Sequence, residues 1–538
     1  MTTEVALIGG EMPAWSDRQH PQRPPAGSAA LVPLVDAVAR QLPDGGEALV
    51  AGPHADVLLD VLAAHAPTTC LVRAEADAAT VAARGVRVLC GTLPKLQETG
   101  RYDLVVALDG MGRLCSVEGP QYDWSESLRA LHRTLRPGGR LLIAVENDLG
   151  VHRLVDLGTP TSPQGDEQWL PIGEYDETKP GSPDRLGAHL SAEGWSLAWL
   201  GAAWARPGQP ALIAEPEALR AGPAAALAAT AARAAGTAYA GHPVLSDPRR
   251  LAAAAVRAGL GVEFAAAWLV VAHRGDPSAH PPSATRPPVP PVLLADGPVL
   301  ALTRDERGTW HRSVLDRGTP TAGRDPARLD GPLPNGRLLE ELLIAAAVRY
   351  DARAVRALLS RWAAWVGTLP DAARAYATVD NVLLDGDTPA LLDPSWRSPE
   401  PVATSSAVAA AMRRFADTLM AGGYAHPWPA VTDVETLTAV LTGAAGMRCD
   451  RPVPEPQGPL KPVSQRETEE QIRSLRQQLA DTRDQLLWHE RQLTKREQEL
   501  ARARRTIAMF DGSLGYRAAK LGAAALRTTR KAWRRSRR

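Results

Sequence analysis

Residues 130–150 read ALHRTLRPGGRLLIAVENDLG. Leu128, Leu131 and Leu135 recur at helical spacing and run into Arg136-Pro137-Gly138-Gly139. The continuous apolar run Leu141–Val145 follows and stops at Glu146-Asn147. A helix, a proline–glycine reversal and a buried strand make one α/β crossover unit. Upstream the same alternation predicts strands at Glu47–Ala51, Thr69–Ala74, Val86–Cys90 and Leu104–Leu108. Residues 29–214 therefore alternate strand and helix as a parallel sheet requires. The strands end in Gly52-Pro53-His54-Ala55-Asp56, Glu75, Gly91-Thr92 and Asp109 respectively. Ligands of open α/β sheets bind outside the carboxyl ends of the strands, so these residues are the first place to look for a site.

The run Leu135–Leu141 resembles the approach to the late strand of class I S-adenosylmethionine (SAM)-dependent methyltransferases. The following Glu146-Asn147-Asp148-Leu149-Gly150 resembles a narrower subgroup found with bacterial surface-polysaccharide genes. That resemblance implies a Rossmann-like doubly wound sheet, SAM as cofactor, and cofactor contacts at Gly52, His54, Glu75, Thr92 and Asp109. In such a site a glycine turn admits the amino-acid moiety, an acid takes the ribose hydroxyls, and a third-strand residue lies beside the adenine. Glu75 stands 23 positions after Gly52, near the usual ribose-acid spacing of about twenty. Three departures stand out. Ala55 replaces a second glycine, Pro53 removes an N–H, and Thr92 stands where relatives carry an acid. Glu75 reads equally as a helix-start carboxylate and Asp109 as a turn aspartate before Gly110. The sequence names no general base; His152, Tyr175 and Asp176 fall past the fifth strand, where acceptor-binding groups sit.

Farther on, Asn381-Val-Leu-Leu-Asp-Gly-Asp-Thr-Pro-Ala-Leu-Leu-Asp393-Pro-Ser-Trp396 resembles the core of aminoglycoside-phosphotransferase-like kinases. There an Asn and an Asp about a dozen residues apart flank a hairpin and hold the magnesium ions of ATP. Asn381 and Asp393 match as vestigial metal positions, and Asp385-Gly386 supplies the turn. Tyr376 occupies the position of the catalytic aspartate, and no lysine occurs between Lys179 and Lys461. Arg312, in a plausible strand, is the available substitute for the phosphate-holding lysine, but a planar fork does not replace an ammonium freely. No phosphotransfer is expected, and no resident metal.

Pro-rich Arg451–Val463 separates a body from a helical tail. Ile472, Leu479, Leu486, Leu493, Leu500 and Ile507 repeat every seven residues, with Leu475, Thr482, His489, Arg496 and Ala503 at the companion positions. This is a coiled-coil seam for self-association or a partner protein. Residues 513–538 hold nine basic residues and no acid, and Leu514, Ala518, Leu521, Ala525 and Trp533 can share one helical face. A basic amphipathic helix suits an anionic membrane surface. Nucleic acid is the weaker reading, because only Tyr516 and Trp533 could stack on bases. Residues 464–538 carry 19 basic and 9 acidic side chains, so the near-zero net charge of +1 conceals a basic tail on an acidic body.

The expected organisation is a methyltransferase-like domain at 1–216, a degenerate α+β kinase-like domain at 217–450, and a linker at 451–463. An α-helical coiled coil at 464–510 and a basic tail at 511–538 complete it. This order resembles the bifunctional methyltransferase–kinase chain terminators of bacterial O-polysaccharide assembly. In that group the coiled coil and tail recruit a glycosyltransferase to the inner membrane face. Two functions remain open: SAM-dependent methylation of a cell-envelope saccharide or related acceptor, or a catalytically inactive scaffold. Four cysteines without a C-x-x-C pair and no N-terminal apolar leader lead to the expectation of a cytoplasmic chain, peripheral at the inner face of the membrane.

Overall fold

The computed structural model describes residues 5–20, 23–116, 119–157, 176–275, 286–448 and 463–535. Tyr175 and nearly all of the expected 451–463 linker lie outside them. Residues 1–468 form one compact unit and residues 469–538 a second.

The first unit is organised by a 13-stranded sheet. Its parallel half comprises β1 (Val5–Gly9), β2 (Ala48–Ala51), β3 (Thr68–Val72), β4 (Arg87–Gly91), β5 (Tyr102–Ala107) and β6 (Leu135–Glu146). They lie in the order β1-β4-β3-β2-β5-β6, all parallel. The chain winds outward through β3 and β4, then crosses to β5 and β6, which puts the topological switch point between β2 and β5. The doubly wound sheet implied by the sequence is present. Every residue of β2 and β3 is buried, which is why these strands read as unbroken apolar runs rather than alternating ones. Pairing of β6 with β5 jumps from Leu135 to Arg140, and the Pro137-Gly138-Gly139 reversal, with Gly138 at φ 77°, accounts for the break.

The sheet does not stop at residue 216. After β7 (Trp195–Arg206), β8 (Gln209–Ala214) and the two-residue β9 (Pro243–Val244), strand β10 (Ala267–Arg274) inserts antiparallel between β6 and β7. The alanine-rich stretch 218–272 is thus helical only at 216–221, 224–238 and 248–257. Its last apolar run is a central strand with seven of eight residues buried. From β8 the sheet continues through β11 (Val292–Ala295), β12 (Val299–Arg304), β13 (Trp310–Asp316) and β14 (Gly331–Pro332). Strands β10 to β14, which fall within the expected second domain, therefore belong to the sheet of the first, whereas the expected hairpin of residues 381–393 does not.

A small sheet, β15 (Arg337–Leu338), β16 (Val382–Asp385) and β17 (Thr388–Leu391), packs with helices 339–348, 352–368, 404–421 and 434–444 around Trp362, Met412 and Phe415. A final two-residue strand, β18 (Val463–Ser464), pairs with β9. The second unit is the continuous helix Gln465–Gly512, whose first residues belong to the body, followed by helix Leu514–Arg535. No described helix is long and apolar enough to cross a membrane.

Candidate functional site

At the carboxyl edge of the parallel strands, β2 ends in a turn that needs Gly52, whose φ is 89°. His54 follows, only 1% exposed. Its Nδ1 lies 3.1 Å from the Gly52 carbonyl oxygen, and the Leu108 N–H donates to Nε2 at 3.0 Å. That pattern assigns the proton to Nδ1, and burial pushes the imidazole below its ordinary value. His54 pins the β2 turn to the end of β5 and presents no free nitrogen to a ligand.

Residues 10–20 and 23–27 form a strap across this edge. Met12 bridges Ala74 and Ala26 bridges His54. Ala55 N–H, at the start of helix 56–65, donates to Ala26 O at 2.8 Å. A Cβ on Gly27 would come within 2.1 Å of Ala55 Cβ, so the strap lies directly on the turn. Arg18 reaches from it to the His54 carbonyl and the Asp56 carboxylate.

Two guanidinium groups lock the strap down. Arg73, directly after β3, donates to both carboxylate oxygens of Asp17 at 2.8 Å and to Cys115 O at 2.6 Å. Arg113 grips both oxygens of Asp109, with Nε–Oδ2 at 2.7 Å, and donates onward to Asp17 O and Arg23 O at 2.9 and 3.0 Å. Burial raises the Asp17 carboxyl, but Arg73 and then Arg113 outweigh it and hold the group below the usual carboxylate range.

The five expected cofactor residues therefore fare differently. Gly52, His54 and Asp109 converge at the switch point but are engaged within the chain. Glu75 is exposed at the first position of helix 75–82. The acid buried there is Asp77, which accepts from Ser16 Oγ and from the Asp17 and Arg18 N–H groups at 2.5, 2.8 and 3.1 Å. Thr92 is fully buried, and its Oγ1, like the Oγ of buried Ser116, has no hydrogen-bond partner among the described residues. As folded, the turn and the buried acids Asp17, Asp77 and Asp109 hold the strap, while Glu75 is exposed and the Thr92 and Ser116 hydroxyls have no partner among the described residues. Sequence reasoning missed Arg73, Asp17, Asp77 and Arg113. The only signals were a charge ending an apolar run and an Asp–Arg pair four residues apart.

Past β6, buried His152 lies 3.1 Å from Glu146 through Nε2. Burial raises the Glu146 carboxyl, yet the His152 hydrogen bond and the cations of Arg23 and Arg153 hold it far below its ordinary value. Asp176 accepts from Trp124 N–H at 2.7 Å and from Thr178, a helix-start role rather than a catalytic one.

The expected hairpin forms between Asn381 and Asp393. Asn381 and Asp393 flank β16–β17, and Asp393 N–H donates to Asn381 Oδ1 at 2.9 Å. A guanidinium lies between the two side chains. Arg233, on helix 224–238, donates to Asp393 Oδ2 at 2.6 Å, Asn381 Oδ1 at 3.2 Å and Asp296 Oδ2 at 2.6 Å. Arg324 adds a second contact to Asp393 at 3.2 Å. Burial raises the Asp393 carboxyl, and Arg233 and the Ser395 hydrogen bonds more than reverse it. Arg312, on β13, is buried and donates to Leu392 O at 2.5 Å, next to Asp393. Tyr376 stacks on Trp396 with centroids 5.6 Å apart. A cleft beside them is lined by Arg233, Arg249, Glu340 and Asp380. These residues do not fit a magnesium–nucleotide site, because the two ligand positions already share a cation. Among the described residues no cluster of three or more His, Cys, Asp or Glu could hold a metal.

No family model matches the sequence, and no curated protein matches it. Solved structures resemble it over about half its length. The Burkholderia thailandensis 1,6-didemethyltoxoflavin N1-methyltransferase, with bound 1,6-didemethyltoxoflavin and S-adenosylhomocysteine, is 15% identical over 46% of this chain and 80% of its own, with a TM-score of 0.25. The Streptomyces coelicolor geranyl diphosphate C-methyltransferase, with Mg2+, geranyl diphosphate and S-adenosylhomocysteine, is 13% identical over 46% and 79%, with a TM-score of 0.28. The Bacillus subtilis YcgJ protein is 11% identical over 46% and 98%, with a TM-score of 0.24. Likeness at this level carries no chemistry, and the fold rests on the strand order itself.

Proposed function

We propose that this chain is built on a SAM-dependent methyltransferase fold and works as a catalytically silent scaffold. One observation supports this reading: internal arginines occupy both enzyme-like crevices. Arg73 and Arg113 neutralise the acids of the first, and Arg233 and Arg324 those of the second. A site whose polar groups are already paired at low dielectric has little left to offer a ligand. The scaffold's outputs are then the 472–507 heptads, which dock a second copy or a glycosyltransferase, and the basic residues 514–538, which dock an anionic membrane surface. Such an arrangement belongs at the cytoplasmic face, in cell-envelope polysaccharide assembly.

The second reading is SAM-dependent methylation of an envelope saccharide or related acceptor. The hydroxyls of Thr92 and Ser116, unpartnered among the described residues, favour it, since buried hydroxyls without partners mark places where a ligand could bind. Calorimetric titration of SAM, S-adenosylhomocysteine and magnesium–ATP into the whole chain separates the two. The scaffold reading expects no heat of binding. Micromolar SAM affinity would replace it with the methyltransferase reading. The whole chain is required because a fragment ending at residue 216 lacks β10, the strand between β6 and β7.

A further inference from the structure

Helix Gln465–Gly512 carries its heptad seam in the open: Ile472, Leu479, Leu486, Leu493, Leu500 and Ile507 are 42–61% exposed. Taking Ile472 as position a, the d positions are Leu475, Thr482, His489, Arg496 and Ala503, and the e positions are Arg476, Arg483, Glu490, Glu497 and Arg504. The g positions are Gln471, Gln478, Gln485, Gln492 and Glu499. The charge pattern is polarised, with arginine at e in the first two heptads and glutamate in the next two. Among the described residues none of Arg476, Arg483, Glu490 and Glu497 is engaged in a salt bridge.

Orientation decides what this pattern does. In a parallel, in-register pair each d residue meets its own copy, and each e faces a g. That would stack Arg496 on Arg496 and His489 on His489 in the seam. The first four e residues would face Gln471, Gln478, Gln485 and Gln492 without an ion pair, and only Arg504 would meet an acid, Glu499. In an antiparallel pair an a residue meets a d residue, and e meets e.

Placing Leu486 opposite His489 gives the layers Ile472–Ala503, Leu479–Arg496, Leu486–His489, Leu493–Thr482 and Leu500–Leu475. Every polar d residue then lies against an aliphatic one, over which an arginine stem can pack while its head reaches water. The same register sets Arg476 against Glu497 and Arg483 against Glu490. Two-fold symmetry repeats each pair, giving four oppositely charged contacts and no like-charged one among them.

We propose that the partner on this seam is a second copy of this chain, bound antiparallel in that register. The layers from Ile472 to Ala503 span 32 residues, about 48 Å of helix, long enough for a stable two-stranded assembly. The inference rests on the scaffold reading's use of the heptads for docking and names the occupant.

The test uses the whole chain in a Cys449→Ser background, the other three cysteines being buried. Sedimentation equilibrium should show a dimer. Leu475→Cys and Leu500→Cys variants should cross-link with a short bis-maleimide when mixed and not when each is alone. Arg476→Glu with Arg483→Glu should weaken the dimer at least about tenfold, since four contacts change sign. Adding Glu490→Arg and Glu497→Arg should restore it. Cross-linking of Leu475→Cys alone, or indifference to the charge exchange in a persisting dimer, would overturn the antiparallel register and leave self-docking standing. A chain that stays monomeric at tens of micromolar would overturn both this inference and self-docking.

Discussion

Arg113 Nε lies 2.7 Å from Asp109 Oδ2, four residues earlier, and the two side chains are 3% and 4% exposed. A carboxylate expected to face a methyl-transfer cleft is instead neutralised by its near neighbour, whose remaining N–H groups hold the strap's carbonyls. The residue that could have served chemistry serves closure.

Removing one member of that pair strands the other. Arg113→Met leaves Asp109 buried without its cation and should cost about 3–5 kcal/mol. Urea denaturation measures it. A cost within that of an ordinary surface substitution, about 0.5 kcal/mol, would show the pair is not what holds the strap.

Arg233 makes the same argument at the second crevice, where it meets Asp393, Asp296 and Asn381. Arg233→Met alone should destabilise strongly. Asp393→Asn in that background should recover part of the loss, because one buried charge then disappears along with the other. The expected coupling in a double-mutant cycle is about 1–3 kcal/mol, and additive costs would mean the two groups act independently.

His54 gives a pH signature. Burial lowers its folded-state value, so the neutral form is the one that fits. Its contribution is complete above the unfolded value of about 6.5 and is lost as pH falls from there toward the lower folded value. Chemical denaturation of the natural chain should therefore show stability dropping as pH falls below about 6.5, ahead of the carboxylates. His54→Gln, which cannot titrate, should flatten that limb. His132 and His426, also held down by burial, set the residual slope.

Much of this architecture was legible from the chain. The parallel strands announced themselves because strands buried on both faces are unbroken apolar runs, and the β16–β17 hairpin because Asp385-Gly386 marks its turn. Ala267–Arg274 was not legible as part of the first sheet. Helices separate it from β7, and an apolar run carries no record of which sheet receives it. The strap was the larger omission. Residues 10–20 and 23–27, rich in proline, arginine and glycine, have no periodicity, so nothing local shows that they cross the strand ends. Without the strap, Glu75 and Asp77 look alike at a helix start; with it, Asp77 is buried and Glu75 is left in solvent.

That contrast makes Glu75 a sharp discriminator. As an exposed residue at the first position of helix 75–82, it owes its contribution to the helix dipole, worth about 0.3–1 kcal/mol. Glu75→Ala should change stability by no more than that and leave the cellular phenotype intact. Loss of SAM binding in this variant, with folding preserved, would return Glu75 to the ribose of a working cofactor.

The basic helix Leu514–Arg535 yields the last expectation. Leu514, Leu521 and Leu526 are 71–85% exposed, and Arg517, Lys520, Arg527, Arg530 and Lys531 share the helix with them. Each cation near an anionic headgroup layer contributes about 1 kcal/mol, and the attraction fades as salt shortens the Debye length. The whole chain should cosediment with vesicles containing phosphatidylserine, weakly with phosphatidylcholine alone, and less at high salt. Arg527→Glu with Arg530→Glu and Lys531→Glu should abolish it while leaving the far-upstream heptads able to associate. Equal binding to neutral and anionic vesicles would show that apolar burial alone drives the contact. Tight, salt-steep binding to DNA or RNA with no vesicle binding would transfer the tail to a nucleic-acid partner.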